Sequence, residues 1–245
     1  MQYSFGTGTL FGRKVVSSGV ATPVKFGAVQ GVTVDITHTV KELYGKYTYP
    51  LDVARGTAKV TGKCNFGQFN GLAFNDIFFG QTSLATGRRR TITEEAKTVT
   101  ANAVTVTNNT GFFRDLGVNY ANNGSYFDRV AASANASQYV CNESTGVYTF
   151  NAADNSAAVL VSYQYTDASN GKLITIQNQL LGNAPSFLMV LNESHNNKEW
   201  TLELNACMSN KLALATKTED FTLPEIDFHS FADASGVVGY LSNDE

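Results

Sequence analysis

Apolar and polar side chains alternate along residues 29–40, and this period of two restricts what the segment can form. Successive side chains of a β-strand point to opposite faces, whereas a helix repeats about every 3.6 residues. One face carries Val32, Val34, Ile36 and Val40, and the other carries Thr33, Asp35, Thr37 and Thr39. The pattern therefore predicts a strand with one buried and one solvated face.

The same alternation recurs in two further segments. After Gly56, apolar Ala58, Val60, Cys64 and Phe66 alternate with Lys59, Thr61, Lys63 and Asn65. Later, Trp200, Leu202, Leu204 and Ala206 alternate with Thr201, Glu203 and Asn205. The 26 Thr and 22 Asn residues favour strands joined by tight turns. We predict a mainly β fold: a β-sandwich or partial barrel with one flanking short helix and an inserted small β lobe.

Three segments interrupt the alternation. Residues 43–50 are aromatic and contain Gly45 and Pro50, which predicts a projecting hairpin or loop. Residues 68–79 place apolar side chains three and four apart and precede Gly80, which predicts a short helix lying on the Val32/Val34/Ile36 face. Residues 88–90 are three consecutive arginines, for which we predict a loop.

The chain divides by composition into three parts. Residues 1–97 and 167–245 are predicted to form the core with its terminal arms, and residues 98–166 are rich in Thr, Val, Ala and Asn and are predicted to form the inserted lobe. Residues 1–97 hold 12 basic and 6 acidic groups, whereas residues 167–245 hold 4 basic and 11 acidic groups. Opposite charges at the two ends either neutralise each other within one fold or meet between subunits.

The residues do not suggest catalysis or metal binding. Three histidines, His38, His195 and His229, offer few bases, and Cys64, Cys141 and Cys207 show no Cys-x-x-Cys spacing. Gly-x-Ser-x-Gly, His-Glu-x-x-His and Walker A patterns are not found. We therefore expect no enzyme activity, no cofactor and no metal. The start of the chain does not resemble a signal peptide, and no apolar run is long enough to span a membrane.

Several short motifs follow one another in order. They are Phe26-Gly27-x-x-Gln30-Gly31-Val32-x-Val34-Asp35, Lys41-x-Leu43-Tyr44-Gly45, Tyr49-Pro50-Leu51, Ala54-Arg55-Gly56-x-Ala58-Lys59, the predicted helix before Gly80, the run from Gly146 to Asp154, Tyr163-Gln164-Tyr165 and Phe231-Ala232-Asp233-Ala234-Ser235-Gly236. In this order they resemble the tail tube proteins, or major tail proteins, of tailed bacteriophages. The resemblance covers most of the chain.

The resemblance implies a structural role. Six copies would form a ring whose inner sheets close into one barrel, and stacked rings would form the tube that guides DNA out of the capsid. Partners would be further copies of the chain and other tail proteins, namely the tape measure, terminator and baseplate proteins. The resemblance leaves open whether a sheath protein is a further partner. DNA would pass without sequence-specific binding, and no membrane partner is expected. The protein would be made and assembled in the host cytoplasm and end in the virion tail.

Two sets of candidate residues follow from this resemblance. The lumen-face candidates are Thr33, Asp35, Thr37, Lys59, Thr61, Lys63, Thr201, Glu203 and Asn205, which an ordinary solvated outer face would equally explain. The ring-stacking candidates are Leu43, Tyr44, Gly45, Tyr47, Tyr49, Pro50, Arg88, Arg89 and Arg90, together with the two terminal arms. The inserted lobe would decorate the outside of the tube.

Other classes of protein share parts of this pattern. A secretion-system tube protein has the same ring architecture, and a capsid decoration or baseplate protein would form monomers or trimers instead of six-membered rings. A carbohydrate-binding β-sandwich would need exposed aromatic clusters, but the chain has a single Trp. An enzyme would need a pocket with perturbed titratable groups.

Overall fold

A computed structural model describes residues 3–16, 19–81, 84–132, 134–182 and 184–244. The strands are β1 (Thr9–Lys14), β2 (Val24–Lys25), β3 (Val29–Tyr44), β4 (Pro50–Phe66), β5 (Ala85–Thr98), β6 (Ala103–Thr105), β7 (Phe112–Tyr120), β8 (Asp128–Arg129), β9 (Gln138–Asn142), β10 (Val147–Phe150), β11 (Ala158–Leu173), β12 (Ser186–His195), β13 (Lys198–Ala213), β14 (Glu225–Phe231) and β15 (Gly239–Asn243). The fold is therefore mainly β, as predicted. Among the residues that the structure describes, no helix is both long and apolar enough to cross a membrane.

The contacts divide the chain into two compact units. The first unit comprises Met1–Leu84 and Ile174–Glu245, and the second, called the lobe below, is Ala85–Leu173. The lobe is wider than the predicted residues 98–166. The reason is that β5 and β11 are paired at both of their ends. Ala158 lies opposite Thr98, and Leu173 lies opposite Ala85, so residues 85–97 and 167–173 belong to the sheet of the lobe.

The first unit is built on one antiparallel sheet in the order β2-β1-β12-β13-β14-β4-β3, with β15 beside the first half of β13. Its core contains Leu10, Phe26, Phe66, Met189 and Phe228, all on one face of this sheet. The predicted alternation in β13 is confirmed only from Glu203 to Ala206, where Leu204 and Ala206 are buried and Glu203 is exposed, whereas Thr201 is as half-buried as its neighbours. Apolar side chains turned to one face therefore supply most of the burial that stabilises the unit.

A short helix covers part of this core. It begins as α1 (Gly71–Phe74) and continues as a π-helix over Asn75–Phe79. The Asn70 side chain accepts from the backbone N–H groups of the first turn, and Gly80 ends the helix at φ 66° and ψ 20°. The predicted helix and its glycine stop are confirmed, but it packs on β1, β2, β12 and β13 rather than mainly on the face of β3.

The β3–β4 hairpin leaves the sheet halfway along its length. Strand β14 pairs with β4 only between Val60 and Asn65, so the hairpin beyond Val60 is two-stranded. Residues 36–59, called the hairpin arm below, are exposed on both faces, apart from Pro50, which is half-buried. The predicted buried face of β3 therefore stops at Val34, and Ile36, His38 and Val40 are exposed because no layer of the described first unit covers them.

The lobe contains a three-stranded sheet, β5-β11-β7, and a four-stranded sheet, β6-β10-β9-β8. Both sheets contribute to one core, in which Val118, Tyr148, Val159, Val161 and Tyr163 are fully buried. Residues 88–90 lie within β5, so the predicted arginine loop is wrong. Successive arginines there point to alternate faces of a strand.

A buried carboxylate connects the two sheets of the lobe. Asp115 of β7 accepts hydrogen bonds from the Tyr139 hydroxyl at 2.7 Å, the Tyr148 hydroxyl at 3.0 Å and the Gly117 backbone N–H at 2.9 Å. Its side chain is 2% exposed, and Arg129 Nε lies 3.6 Å from Oδ2. Burial, together with the Asp115 charge, raises the pKa of both tyrosine hydroxyls, so they remain protonated donors.

Candidate assembly surface

The tip of the hairpin arm carries the ring-stacking candidates of the first unit. Leu43 and Tyr44 end β3, Gly45, Tyr47 and Tyr49 form the turn, and Pro50 begins β4, so the predicted hairpin is confirmed. Tyr49 is 82% exposed and Tyr47 70% exposed. A Cβ at Gly45 would lie 2.9 Å from Leu51 Cδ1, the end of an exposed side chain that could move aside.

Apolar exposure extends along the whole arm. Eight large apolar side chains in it are exposed: Ile36, Val40, Leu43, Tyr44, Tyr47, Tyr49, Leu51 and Val53. Single exposed apolar residues are normal on protein surfaces, but eight of them on one projecting hairpin indicate an interaction surface. Tyr44 donates a hydrogen bond to the Glu42 carboxylate, which raises the pKa of the Tyr44 hydroxyl.

Strand β3 is also an open sheet edge. It is the last strand in the sheet order and pairs only with β4 among the described residues. It is 16 residues long, well above the usual strand length of about 5–6 residues. An edge strand presents unpaired backbone donors and acceptors, so a long uncovered one is a site for adding another strand.

The polar face of the sheet brings six of the nine lumen-face candidates together. Thr33 is opposite Lys63, Asp35 is opposite Thr61, and Thr37 is opposite Lys59 in the β3–β4 register. Three ion pairs continue this face onto the next strands: Lys63–Glu225 at 2.7 Å, Lys211–Glu225 at 2.6 Å and Lys211–Asp227 at 3.5 Å. Opposite charges therefore alternate across the strands, and the face has no excess of lysine.

The other three lumen-face candidates lie apart from these six. Thr201, Glu203 and Asn205 are on the first half of β13, which pairs with β12 and β15 and not with β14. Thr201 and Asn205 are half-buried and make hydrogen bonds inside the fold. Thr201 Oγ1 accepts from Asn192 Nδ2 at 2.9 Å, and Asn205 Nδ2 donates to Asp233 Oδ2 at 2.8 Å. Glu203 alone of the three is exposed.

Asp233 holds the turn that precedes β15. Its carboxylate accepts from the Ser235 hydroxyl and from the backbone N–H groups of Ser235 and Val237, in addition to Asn205. These hydrogen bonds lower the pKa of Asp233 to about 2. The stabilisation is therefore present above the ordinary aspartate pKa, near 4, and is lost as the pH falls through about 2.

We expect Asp233→Ala to loosen β15 much more at pH 7 than at pH 2, where about half of the carboxylates are protonated. The measurement is hydrogen exchange of the Gly239–Asn243 amides at both pH values. Asp233→Asn keeps an acceptor oxygen without the charge, so its effect at pH 7 should be smaller than that of Asp233→Ala and should also shrink at pH 2, where the unaltered carboxylate loses its charge. An Asp233→Ala effect of equal size at pH 7 and pH 2 would contradict the role of the carboxylate.

The arginine candidates belong to the lobe, whereas the hairpin arm belongs to the first unit. Arg88 Nε lies 3.6 Å from Asp167 Oδ2, Arg89 Cζ lies 3.7 Å from the centre of the Phe113 ring, and Arg90 Cζ lies 5.9 Å from that of Tyr165. The triplet is therefore not a single basic cluster. Among the described residues, no three His, Cys, Asp or Glu side chains are grouped in a way that would hold a metal ion.

Sequence reasoning missed the ion pairs of Glu225 and the buried Asp115. Glu225 has no local pattern that identifies it, because its partners Lys63 and Lys211 come from distant strands. Asp115 had a weak signal: a charged residue within an otherwise apolar and aromatic strand segment. The chain matches no protein-family model, and no curated protein is similar to it in sequence.

Proposed function

We propose that the chain is a structural subunit of the tail tube of a tailed bacteriophage. The subunits form hexameric rings, and the rings stack into the conduit for DNA ejection. The observation that carries this proposal is the hairpin arm, which extends beyond its sheet with apolar side chains exposed on an open-edged strand. In an assembly another subunit would cover the arm, and this would explain why its apolar side chains are exposed in the single chain.

The exposed apolar side chains of the arm would contribute to the energy of assembly. Burying one large apolar side chain contributes about 1.5–3 kcal/mol, and the arm exposes eight of them. Association costs about 4–15 kcal/mol in lost translational and rotational freedom. Burial of most of the arm would therefore act against this cost and against the ordering of the side chains, and hydrogen bonds along β3 would add to it.

Ring closure explains the open edge. A head-to-tail contact between identical subunits closes into a ring when its rotation divides the circle, and a closed sheet has no free edge. In this proposal the first unit forms the sandwich or partial barrel of the ring, and the lobe decorates the outside. The ring removes the aggregation hazard that a 16-residue edge would otherwise present.

The polar face of the sheet suits the lumen of such a tube. A row of unpaired lysines would bind phosphates and slow the passage of DNA. Here Lys63 and Lys211 are paired with Glu225, and Thr33, Thr37 and Thr61 separate the charges. Exposure of Asp35 and Lys59 to the lumen is part of this proposal. Burial of these two residues between sheets in an assembled tube would contradict the lumen assignment.

Native mass spectrometry over a concentration series tests the stoichiometry. We expect masses corresponding to multiples of six subunits, because rings of six are the repeating element. A protein that stays monomeric or trimeric at every concentration would instead favour a capsid decoration or baseplate role. A secretion-system tube protein would give the same six-fold masses. It is favoured if the six-fold particles are not part of a virion that ejects DNA.

A further inference from the structure

Three arginines of the lobe have no acidic partner. Arg88 pairs with Asp167, and Arg129 contacts both Asp115 and Glu143. Within the described residues, Arg89, Arg90 and Arg114 have no carboxylate oxygen within 4.0 Å. A guanidinium is always charged and carries five donors in a planar fork. Three of them are therefore free to bind an anion.

The sheet registers divide these three arginines between two faces. Arg89 lies opposite Thr166 of β11, and Arg114 lies opposite Gln164. These β11 positions alternate with the buried Val161 and Tyr163, so Arg89 and Arg114 are on the outer face of the three-stranded sheet. Arg90 lies opposite Tyr165 and therefore belongs to the other face.

A β-bulge brings an aromatic ring between the two outer arginines. Gln164 pairs with Arg114 and Tyr165 with Phe112, so Phe113 is the extra residue of the bulge. Arg89 Cζ lies 3.7 Å and Arg114 Cζ 5.4 Å from the centre of the Phe113 ring. The ring holds both cations through cation–π attraction and restricts their orientations.

Holding two like charges beside one ring has an electrostatic cost, which a shared anion would remove. A phosphate group has more acceptor oxygens than a carboxylate and can accept from two guanidinium forks at once. Gln164 and Thr91 lie on the same face, where Gln164 Nε2 donates to Thr91 Oγ1 at 3.2 Å. Two uncharged polar side chains therefore lie on the same face as the pair.

We propose that Arg89, Phe113 and Arg114 form a binding site for phosphate groups. The site recognises phosphate by charge and geometry and not by bases, because Arg89 already covers the Phe113 ring on which a base would stack. The site lies within the lobe and does not depend on tube assembly. If the lobe attaches to a surface that carries phosphate groups, these three residues would make the contact.

Fluorescence anisotropy of labelled polyphosphate, titrated with the full chain, tests this site. Two phosphate contacts should weaken binding about tenfold between roughly 50 mM and 200 mM salt, because each contact releases counterions. Arg89→Ala and Arg114→Ala should each remove about one contact from the salt slope, and the double variant should remove nearly all of it. Arg90→Ala is the matched control, since it removes an equally charged residue from the other face of β5.

Further variants separate the site from general charge attraction. Phe113→Leu keeps every charge but removes the ring, so we expect several-fold weaker binding with an unchanged thermal unfolding midpoint. Single-stranded DNA should bind through the same two arginines without base preference, and polyglutamate should bind more weakly than polyphosphate. Equal loss in Arg90→Ala, unchanged binding in Phe113→Leu, base-dependent DNA binding or equal binding of polyglutamate would each overturn the proposal.

Discussion

Replacing both Tyr44 and Tyr49 with serine is expected to leave soluble subunits or single rings in place of tubes. Both side chains are at the tip of the hairpin arm, and Tyr49 is 82% exposed in the isolated chain. In stacked rings these side chains would be buried against the next ring. Each lost burial removes about 1.5–3 kcal/mol, and every 1.4 kcal/mol weakens a contact about tenfold.

The effect is large because each ring repeats the contact in all of its subunits. Sedimentation of the assembled material, followed by negative-stain microscopy, measures the fraction in tubes. The fold of the subunit should not change, since the arm is exposed and contributes nothing to the core.

Tyr126→Ser provides a matched control. Tyr126 is 76% exposed but belongs to the lobe, so this variant should form tubes as well as the unaltered protein. Unaltered tubes in the Tyr44/Tyr49 variant would show that the arm does not stack rings. Loss of tubes in the Tyr126 variant as well would indicate a general effect of tyrosine removal.

Asp115→Ala is expected to destabilise the lobe by about 3–5 kcal/mol. The substitution leaves the Tyr139 and Tyr148 hydroxyls unpaired inside the core and removes a carboxylate beside Arg129. An unpaired buried polar group costs about 1–3 kcal/mol, so the two tyrosine hydroxyls account for most of this effect, while Arg129 is half-exposed and keeps its contact with Glu143. Hydrogen exchange of amides in β7 and β11 measures the change within the lobe.

Two further variants define the cause. Asp115→Asn keeps acceptor oxygen but not charge, so its effect should lie between those of the unaltered protein and Asp115→Ala. Asp128→Ala removes an exposed carboxylate from the same lobe and should change stability by less than about 0.5 kcal/mol. Amide exchange in β7 and β11 that does not differ between Asp115→Ala and Asp128→Ala would contradict the structural role of Asp115.

Local pattern was sufficient to predict much of the fold. Period-two alternation identified β3, β4 and β13, and three-and-four spacing before Gly80 identified the short helix. These signals depend only on neighbouring residues. The exposure of Ile36 and Val40 could not be predicted, because burial depends on whether another layer covers that end of the hairpin.

The candidate surfaces were harder to predict for the same reason. The tip from Leu43 to Pro50 was recognisable from glycine, proline and tyrosine, which mark a projecting turn. The arginine triplet resembled a loop by charge alone, yet β5 continues through it because β11 supplies a partner along its whole length. The pairing of Arg89 with Phe113 requires a bulge in β7, which no local pattern indicates.

Electron microscopy of the purified protein over a concentration series tests the central claim most directly. The tail tube proposal predicts six-fold rings that stack into hollow tubes, with the hairpin arm at the contact between successive rings. Particles that never form rings at any concentration, even when tube ends are supplied to initiate assembly, would contradict it.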